Sequence, residues 1–425
     1  MIQEIKIKNF LSFKEEVKFS FEASNDKFAE DSQVVQVNEN TRLLRFAIVY
    51  GYNASGKSNL LRVFDFLYDF WFYKPKDVYE ETGSIPFKFD KQTLQEPSSI
   101  ELVFYIEDTK YWYQLELDEN QVYLEKLSYY KSSQPTMLFE RKLEDNQSSI
   151  SFGSSLKISN IVKESITVNC LKNMSFFSAR NQVNTSITLI DAAKDWMKTK
   201  VMQTVFPNLD LTNYAQQKTV SDEALISYII GFLTEADFNI TDIKTDKLPS
   251  PKKKDVIDMA LLTIEQMMKE MKSNEKKEAL YRTDFEHTVE NERGVETYLL
   301  SSDHDDESRG TLRTFGLETA LYNAIRKNAF LAIDEIETSL HPKLLEKILF
   351  EYLRTHSRSQ VVVSTHYDGL LDLVDDLIRK DSVWFTEKDK AGVTDLYKLT
   401  DFRGVNRLSS IREAYRNKRF GATMK

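Results

Sequence analysis

Apolar and polar residues alternate with period two in IQEIKIK (2–8) and EVKFSFE (16–22). The alternation predicts two paired strands, with NFLSF between them. The same period returns in IELVFYI (100–106), KYWYQLEL (110–117) and QVYLEKLSY (121–129), separated by the short polar turns EDT and DEN. These runs, entered after Pro86, predict an antiparallel meander. Their aromatic stripes are assigned to buried and half-buried sheet faces rather than to base-stacking platforms. Other runs are largely apolar: LLRFAIVY (43–50), FLAI (330–333) and QVVVST (360–365). Strands covered on both faces read this way. Spacing of three and four, the helical period, marks NLLRVFDFLYDFW (59–71), much of 188–275, the run 307–328 and LLEKILFEYLRTH (344–356). Within 255–272, Val256, Met259, Ala260, Ile264, Met267, Met268 and Met271 form one stripe, assigned to an internal core seam. A hairpin is predicted at 279–289 and 296–302 around ENERG, followed by the acidic loop of Asp303, Asp305, Asp306 and Glu307. Strand, helix and strand across 328–366 predict a parallel α/β sheet.

Composition narrows the class. The 425 residues suffice for two or three domains, or for one large core with insertions. A hydrophobic fraction of 41% and a charged fraction of 29% are those of an ordinary soluble protein. No run of about 18 apolar residues is present, so no membrane span is expected. MIQEIKIKNF lacks the core of a signal peptide. One cysteine, Cys170, excludes an internal disulfide framework and a cysteine-based zinc site. A cytoplasmic location follows as the expectation. The net charge of −9 gives no general support for nucleic-acid binding, which would need a local basic face. Only 12 Gly and 8 Pro argue against long disordered linkers. The lysines of LPSPKKKD (248–255) read as a solvated helix start. No repeat of 20–50 residues is evident.

Candidate chemistry concentrates at a few places. GYNASGKSN (Gly51–Asn59) fits G-x-x-x-x-G-K-[ST], between a predicted strand and a predicted helix. Gly51 and Gly56 let the backbone curl so that several N–H groups converge on one anion, beside the positive end of the helix. Asn53, Ala54, Ser55, Gly56, Lys57, Ser58 and Asn59 are the candidate nucleotide contacts. Lys57 is expected to reach the β- and γ-phosphates, and Ser58 to ligate Mg²⁺. In FLAIDEIE (Phe330–Glu337) a strand delivers two adjacent acids. Asp334 is assigned to the Mg²⁺ shell, and Glu335 to orienting and polarising the attacking water. Ser308-Arg309-Gly310 opens a helix, with Ser308 as cap, and makes a second anion site. His366 ends VVVSTH, where an imidazole can sense a γ-phosphate. Ser339-Leu340-His341-Pro342 is a candidate dimer contact.

In this order the pieces IKIKNFLSF, GYNASGKSN, PFKFD, ESRGT, LAIDEIETSLHP and VVVSTH, with VWFTEKDKAGVTDLYKL and RFGA in the tail, resemble ABC-type ATPases of the SMC/RecF class. The chain looks most like the bacterial AAA-labelled ATP-binding proteins related to RloA, abortive-infection ATPases and the OLD family. The resemblance is thin across 188–275. It implies an α/β fold: a P-loop core with a mixed or parallel sheet, an antiparallel β meander and a helical insertion. It implies residues 1–180 as the N-terminal part of the core, 181–278 as the insertion, and 279–425 as the part carrying signature, Walker B acids and histidine switch. It further implies ATP and Mg²⁺ as cofactors, with Ser308 and Gly310 meeting the ATP held by Lys57 of a second subunit. Two departures stand out. Glycine is more usual at Ala54, and the glutamine that such proteins use near Mg²⁺ has only Gln92 and Gln95 as candidates.

Three readings follow. The first is an ATP-hydrolysing switch in anti-phage defence that closes as a homodimer or higher oligomer and controls a separate effector, such as a nuclease. Only 59 residues follow His366, too few for a Toprim nuclease domain. Asp372, Asp375 and Asp376 are assigned to an amphipathic helix rather than to a metal cluster. The second is a RecF-like DNA-repair or DNA-end-binding ATPase, drawing on Lys252–Lys254, Arg412, Arg416, Lys418 and Arg419. The third is a scaffold that binds nucleotide without turning it over.

Overall fold

The computed structural model describes residues 1–236, 239–248, 281–292, 294–302 and 306–423. The methionine stripe of 255–272, the lysines at 252–254, Asp303 and Asp305 lie outside the described residues. The chain forms two compact units: 1–207 with 323–338 and 345–425, and 208–322 with 339–344.

In the larger unit, β1 (Ile2–Lys8) and β2 (Val17–Ser20) pair antiparallel, with Glu4 opposite Ser20. A two-stranded ribbon of β3 (Val34–Asn38) and β4 (Thr41–Leu44) precedes β5 (Phe46–Tyr50). The single strand expected over 43–50 is therefore split at Arg45. That side chain is buried and donates to the Ser32 carbonyl at 2.7 Å, to the Thr355 carbonyl and to Ser357 Oγ at 2.7 Å. A guanidinium that needs three acceptors cannot sit as an ordinary ladder residue.

The meander holds β6 (Ser98–Ile106), β7 (Thr109–Leu117) and β8 (Val122–Tyr130), as the alternation predicts. It continues through β9 (Pro135–Glu144) and β10 (Gln147–Phe152). Pairing of β1 with β6 merges everything into one antiparallel sheet, ordered β10-β9-β8-β7-β6-β1-β2. Its aromatic residues Phe104, Tyr111 and Tyr113 are buried, so they build the core.

β14 (Phe330–Ile333), β15 (Gln360–Thr365), β16 (Val383–Lys388) and β17 (Thr394–Lys398) form a second sheet with β5, ordered β14-β15-β5-β16-β17. The first four strands of that order run parallel, and β17 is antiparallel to β16. The helix Lys57–Phe72 packs against both sheets. Phe64 meets Phe330 of β14 at 4.5 Å between ring centroids, and Trp71 meets Tyr113 of β7 at 4.8 Å. One continuous apolar core thus joins both sheets to this helix and fixes where the helix begins.

A buried ion pair ties the meander to the segment after it. Glu125 on β8 and Arg141 on β9 are 3.2 Å apart, and both side chains are fully buried. Glu125 also accepts from Ser175 Oγ at 2.8 Å, Phe176 N at 2.7 Å and Tyr113 OH at 3.0 Å. Arg141 donates to the carbonyls of Leu171, Lys172 and Met174.

In the smaller unit, helices Thr212–Thr219 and Glu223–Glu235 precede a sheet of three strands that neighbour one another in chain order. It comprises β11 (Ile240–Lys247), β12 (Tyr281–Asn291) and β13 (Gly294–Ser301). The hairpin of β12 and β13 matches expectation. β11 does not, because it falls in a stretch whose spacing reads as helical. ITDIKTDK carries apolar residues only at Ile240 and Ile243, three apart, and these two are its buried positions. Phe285 of β12 packs edge-on against Phe315 of the helix Arg309–Lys327.

Candidate functional site

Strand register decides what meets at the edge of the parallel sheet. Ile333 lies opposite Val363, Val363 opposite Ile48, and Thr365 and Phe385 both lie opposite Tyr50. The residues that follow, Asp334 and Glu335, His366, and Gly51 of the glycine loop, therefore leave their strands at one edge. It is the carboxyl edge, where parallel α/β sheets bind ligands.

The glycine loop is shaped by contacts that leave no room for side chains at its two fixed glycines. A Cβ on Gly51 would stand 2.4 Å from Ser55 Oγ and 2.5 Å from Thr386 Oγ1. Gly56 has φ +113°, and a Cβ there would fall 2.5 Å from Thr394 Oγ1. Ala54 adopts φ +65° without being glycine, a left-handed conformation that costs about 1–2 kcal/mol in a non-glycine residue. Hydroxyls fasten the loop from outside. Ser55 Oγ and Thr386 Oγ1 are 2.7 Å apart. Thr394 Oγ1 lies 2.9 Å from both the Ser55 carbonyl and Ser12 Oγ. Ser12 Oγ also accepts from Asn59 Nδ2 at 2.8 Å. The side chains of Ser55 and Asn59 are thus spent on loop shape. The first-turn amides of the helix Lys57–Phe72 have no intrahelical acceptor and are suited to an anion.

Lys57 is 5% exposed, and its Nζ donates to the Gly51 carbonyl at 2.8 Å and the Tyr52 carbonyl at 3.3 Å. Burial pushes its ammonium below the usual lysine value, while the negative charges of Asp334, Glu335 and Glu337 oppose that shift. A desolvated cation that holds only carbonyl partners fits an incoming phosphate.

One hydroxyl organises the acids. Ser364 Oγ donates to Asp334 Oδ1 and accepts from Glu335 N at 2.9 Å. Asp334 is 3% exposed, and Glu335 is half-buried with φ +45°. Two residues on, Glu337 Oε1 accepts from His366 N at 2.8 Å. Ser58 is half-buried at the start of its helix. Among the described residues, no group of three or more His, Cys, Asp or Glu side chains could cage a metal. The Ser58 hydroxyl and the single buried carboxylate of Asp334 fit Mg²⁺, which keeps several waters and binds through few carboxylates plus substrate phosphates. Ser58 and Asp334 would be its protein ligands.

Ser308 and Gly310 belong to the smaller unit. Ser308 Oγ accepts from Thr311 N at 3.0 Å, which makes it the expected cap of the helix Arg309–Lys327. Of the acidic loop beside it, Glu307 is buried; it pairs with His287 and accepts from Ser308 N at 3.1 Å. Ser339, the start of the candidate dimer contact, has φ +63°, and its carbonyl would lie 3.4 Å from a Cβ on Gly310. Gln92 and Gln95 are both exposed, at the turn Thr93–Gln95.

Residues 368–373 form a 3-10 turn rather than the amphipathic helix expected around Asp372. Arg412 and Arg416 are both ion-paired to Asp368, at 3.0 and 2.6 Å. They are therefore not a free basic face for nucleic acid. Among the described residues, no helix is long and apolar enough to cross a membrane.

Sequence reasoning missed Ser12, Ser364, Thr386, Thr394 and Glu337. Ser364 carries a signal in retrospect, as a polar residue within the apolar run VVVST, and Glu337 as the third acid of DEIE. The hydroxyls at 12, 386 and 394 carry none, because they reach the loop only through the fold.

Fold and site together define a P-loop ATPase domain of the α/β class, with β15 lying between the loop strand β5 and the acid-bearing strand β14. The chain belongs to the family described as "AAA domain, putative AbiEii toxin, Type IV TA system", whose profile matches residues 46–155 and 206–372. Both the glycine loop and the segment from Ser308 to His366 fall inside the matched spans. Among solved structures, the chain is similar to the SMC head domain from Thermotoga maritima. That similarity has 12% identity and a TM-score of 0.41, over 93% of this chain and 98% of that one. An SMC head bound to the C-winged helix domain of ScpA is similar at 13% identity and a TM-score of 0.41, over 98% and 99%. No curated protein matches the chain by sequence.

Proposed function

We propose that this chain is an ATP-binding and ATP-hydrolysing switch subunit of a bacterial abortive-infection-type defence system. The observation that carries the reading is the common sheet edge at which the glycine loop, Asp334, Glu335 and His366 leave their strands, with Lys57 near enough to feel the charges of both acids. Loop amides from Asn53 to Asn59 and the Lys57 ammonium hold the β- and γ-phosphates. Ser58 and Asp334 would hold Mg²⁺, which would supply charge neutralisation at the phosphates. Glu335 orients and deprotonates the attacking water, and His366 contacts the γ-phosphate. Ser308 and Gly310 face the nucleotide of a second copy, so ATP closes a homodimer and hydrolysis reopens it. The output passes to a separate effector. The family's AbiEii label supports the defence setting.

Light scattering tests the switch. Glu335→Gln with Mg-ATP is expected at twice the monomer mass, and the ligand-free protein at the monomer mass. An unchanged mass contradicts the sandwich. Unaltered phage sensitivity on deletion in the native host contradicts the defence setting.

Lys57→Met tests the loop itself. Loss of a charge-assisted contact worth about 1.5–3 kcal/mol should weaken ATP binding roughly 10- to 100-fold by calorimetry. In the ligand-free protein the sign reverses. The folded state disfavours the Lys57 cation, a penalty that is full below its lowered pKa and gone above the ordinary 10.5. Ligand-free Lys57→Met should therefore be at least as stable as wild type at neutral pH. The difference should narrow as pH rises toward 10.5, as read by denaturant midpoints.

A further inference from the structure

The third acid of DEIE has no task in the scheme above, yet its placement is unusual. Glu337 Oε1 accepts the His366 backbone N–H at 2.8 Å, and the ring's Nδ1 lies 3.3 Å from the same oxygen. One carboxylate oxygen therefore addresses both the main chain and the side chain of one residue. Its other oxygen, Oε2, is buried without a hydrogen-bond partner. Leaving a carboxylate oxygen in that state is costly, and such groups call for a reason beyond stability. Glu337 is also near enough to the loop for its charge to act on Lys57. The imidazole, by contrast, is loosely covered, with the side chain 46% exposed against 15% for Glu337. An exposed ring turns freely unless something holds it.

We propose that Glu337 is a positioning residue that sets the orientation and tautomer of His366 toward the bound nucleotide; the proposal rests on the γ-phosphate contact assigned to His366. With Nδ1 lying 3.3 Å from the carboxylate oxygen, Nε2 is the ring atom left for the phosphate. A ring that donates through Nδ1 can donate to a phosphate oxygen through Nε2 only as the imidazolium. Glu337 then supplies the countercharge as well as the orientation. The arrangement follows the general logic of a base oriented by a third group. Buried Ile336, whose N–H donates to the Ser364 carbonyl at 3.1 Å, fixes the backbone between the water-activating Glu335 and Glu337.

A double-mutant cycle separates this role from simple support of the backbone. Glu337→Ala and His366→Ala should each slow phosphate release roughly 10- to 100-fold, with KM changed less than about threefold. The double variant should be no slower than the slower single one. Glu337→Gln keeps an acceptor for the backbone N–H but loses the countercharge, so its rate should fall between those of wild type and Glu337→Ala. If Glu337→Ala costs as much in the His366→Ala background as in wild type, Glu337 serves the backbone alone and the proposal falls. A second readout needs no turnover. In ligand-free protein labelled at its five histidines, ring ¹⁵N shifts assigned through His366→Ala should show the Nδ1–H tautomer in wild type and its loss in Glu337→Ala. Identical His366 shifts in the two proteins overturn the proposal. A wild type that releases no phosphate overturns the ATPase reading, while the tautomer result still decides the role of Glu337.

Discussion

Glu335→Gln is expected to slow steady-state phosphate release by about 10²–10⁴-fold, the usual contribution of a positioned general base. Nucleotide affinity should stay within about threefold. The structure supplies the reason for so clean a separation. The Glu335 amide is held by Ser364 Oγ at 2.9 Å, its carbonyl accepts from Thr338 N at 2.9 Å, and its left-handed φ of +45° is set by the turn. None of these contacts uses the carboxylate. Glutamine has the same shape, so backbone, Asp334 and the loop remain in place while the proton acceptor is removed. Equal rates for the two proteins would assign the water to another group. A parallel loss of binding would mean that the side chain supports the loop instead.

Glu125→Ala is expected to destabilise the protein by about 3–5 kcal/mol, measured by denaturant unfolding. Burial raises the Glu125 carboxyl pKa, with Arg141 and three hydrogen-bond donors opposing it, and the net direction is upward. The ionised pair is therefore not a source of stability in its own right. The large effect arises because removing one member leaves Arg141 charged and fully buried. Replacing both, as Glu125→Leu with Arg141→Met, should cost less than the single change. A single-variant loss below about 1 kcal/mol would show that water reaches Arg141 freely.

The parts of this architecture that the sequence makes legible are those where one strand or helix carries its own pattern. GYNASGKSN needs a strand before it and a helix after it, and both are visible as apolar runs. The same holds for FLAI before Asp334 and QVVVST before His366, and for the period-two hairpins. Interactions between distant segments are not legible. The hydroxyls that fasten the glycine loop come from Ser12, Thr386 and Thr394, hundreds of residues apart in part, and a lone Ser or Thr has no pattern to read. Arg45 breaks a strand because its acceptors lie at Ser32, Thr355 and Ser357. Ile240 and Ile243 suggest a helix until pairing with β12 overrides the spacing. Arg412 and Arg416 look like a basic surface until Asp368 is found between them.

The most direct test is a crystal structure with Mg²⁺ and a non-hydrolysable ATP analogue. The β- and γ-phosphates are expected inside the loop from Gly51 to Ser58, with Lys57 Nζ moved from the Gly51 and Tyr52 carbonyls onto phosphate oxygen. The metal is expected on Ser58 and Asp334, and Glu335 is expected to face the γ-phosphate. Nucleotide bound elsewhere, or a metal that touches neither Ser58 nor Asp334, would contradict this assignment.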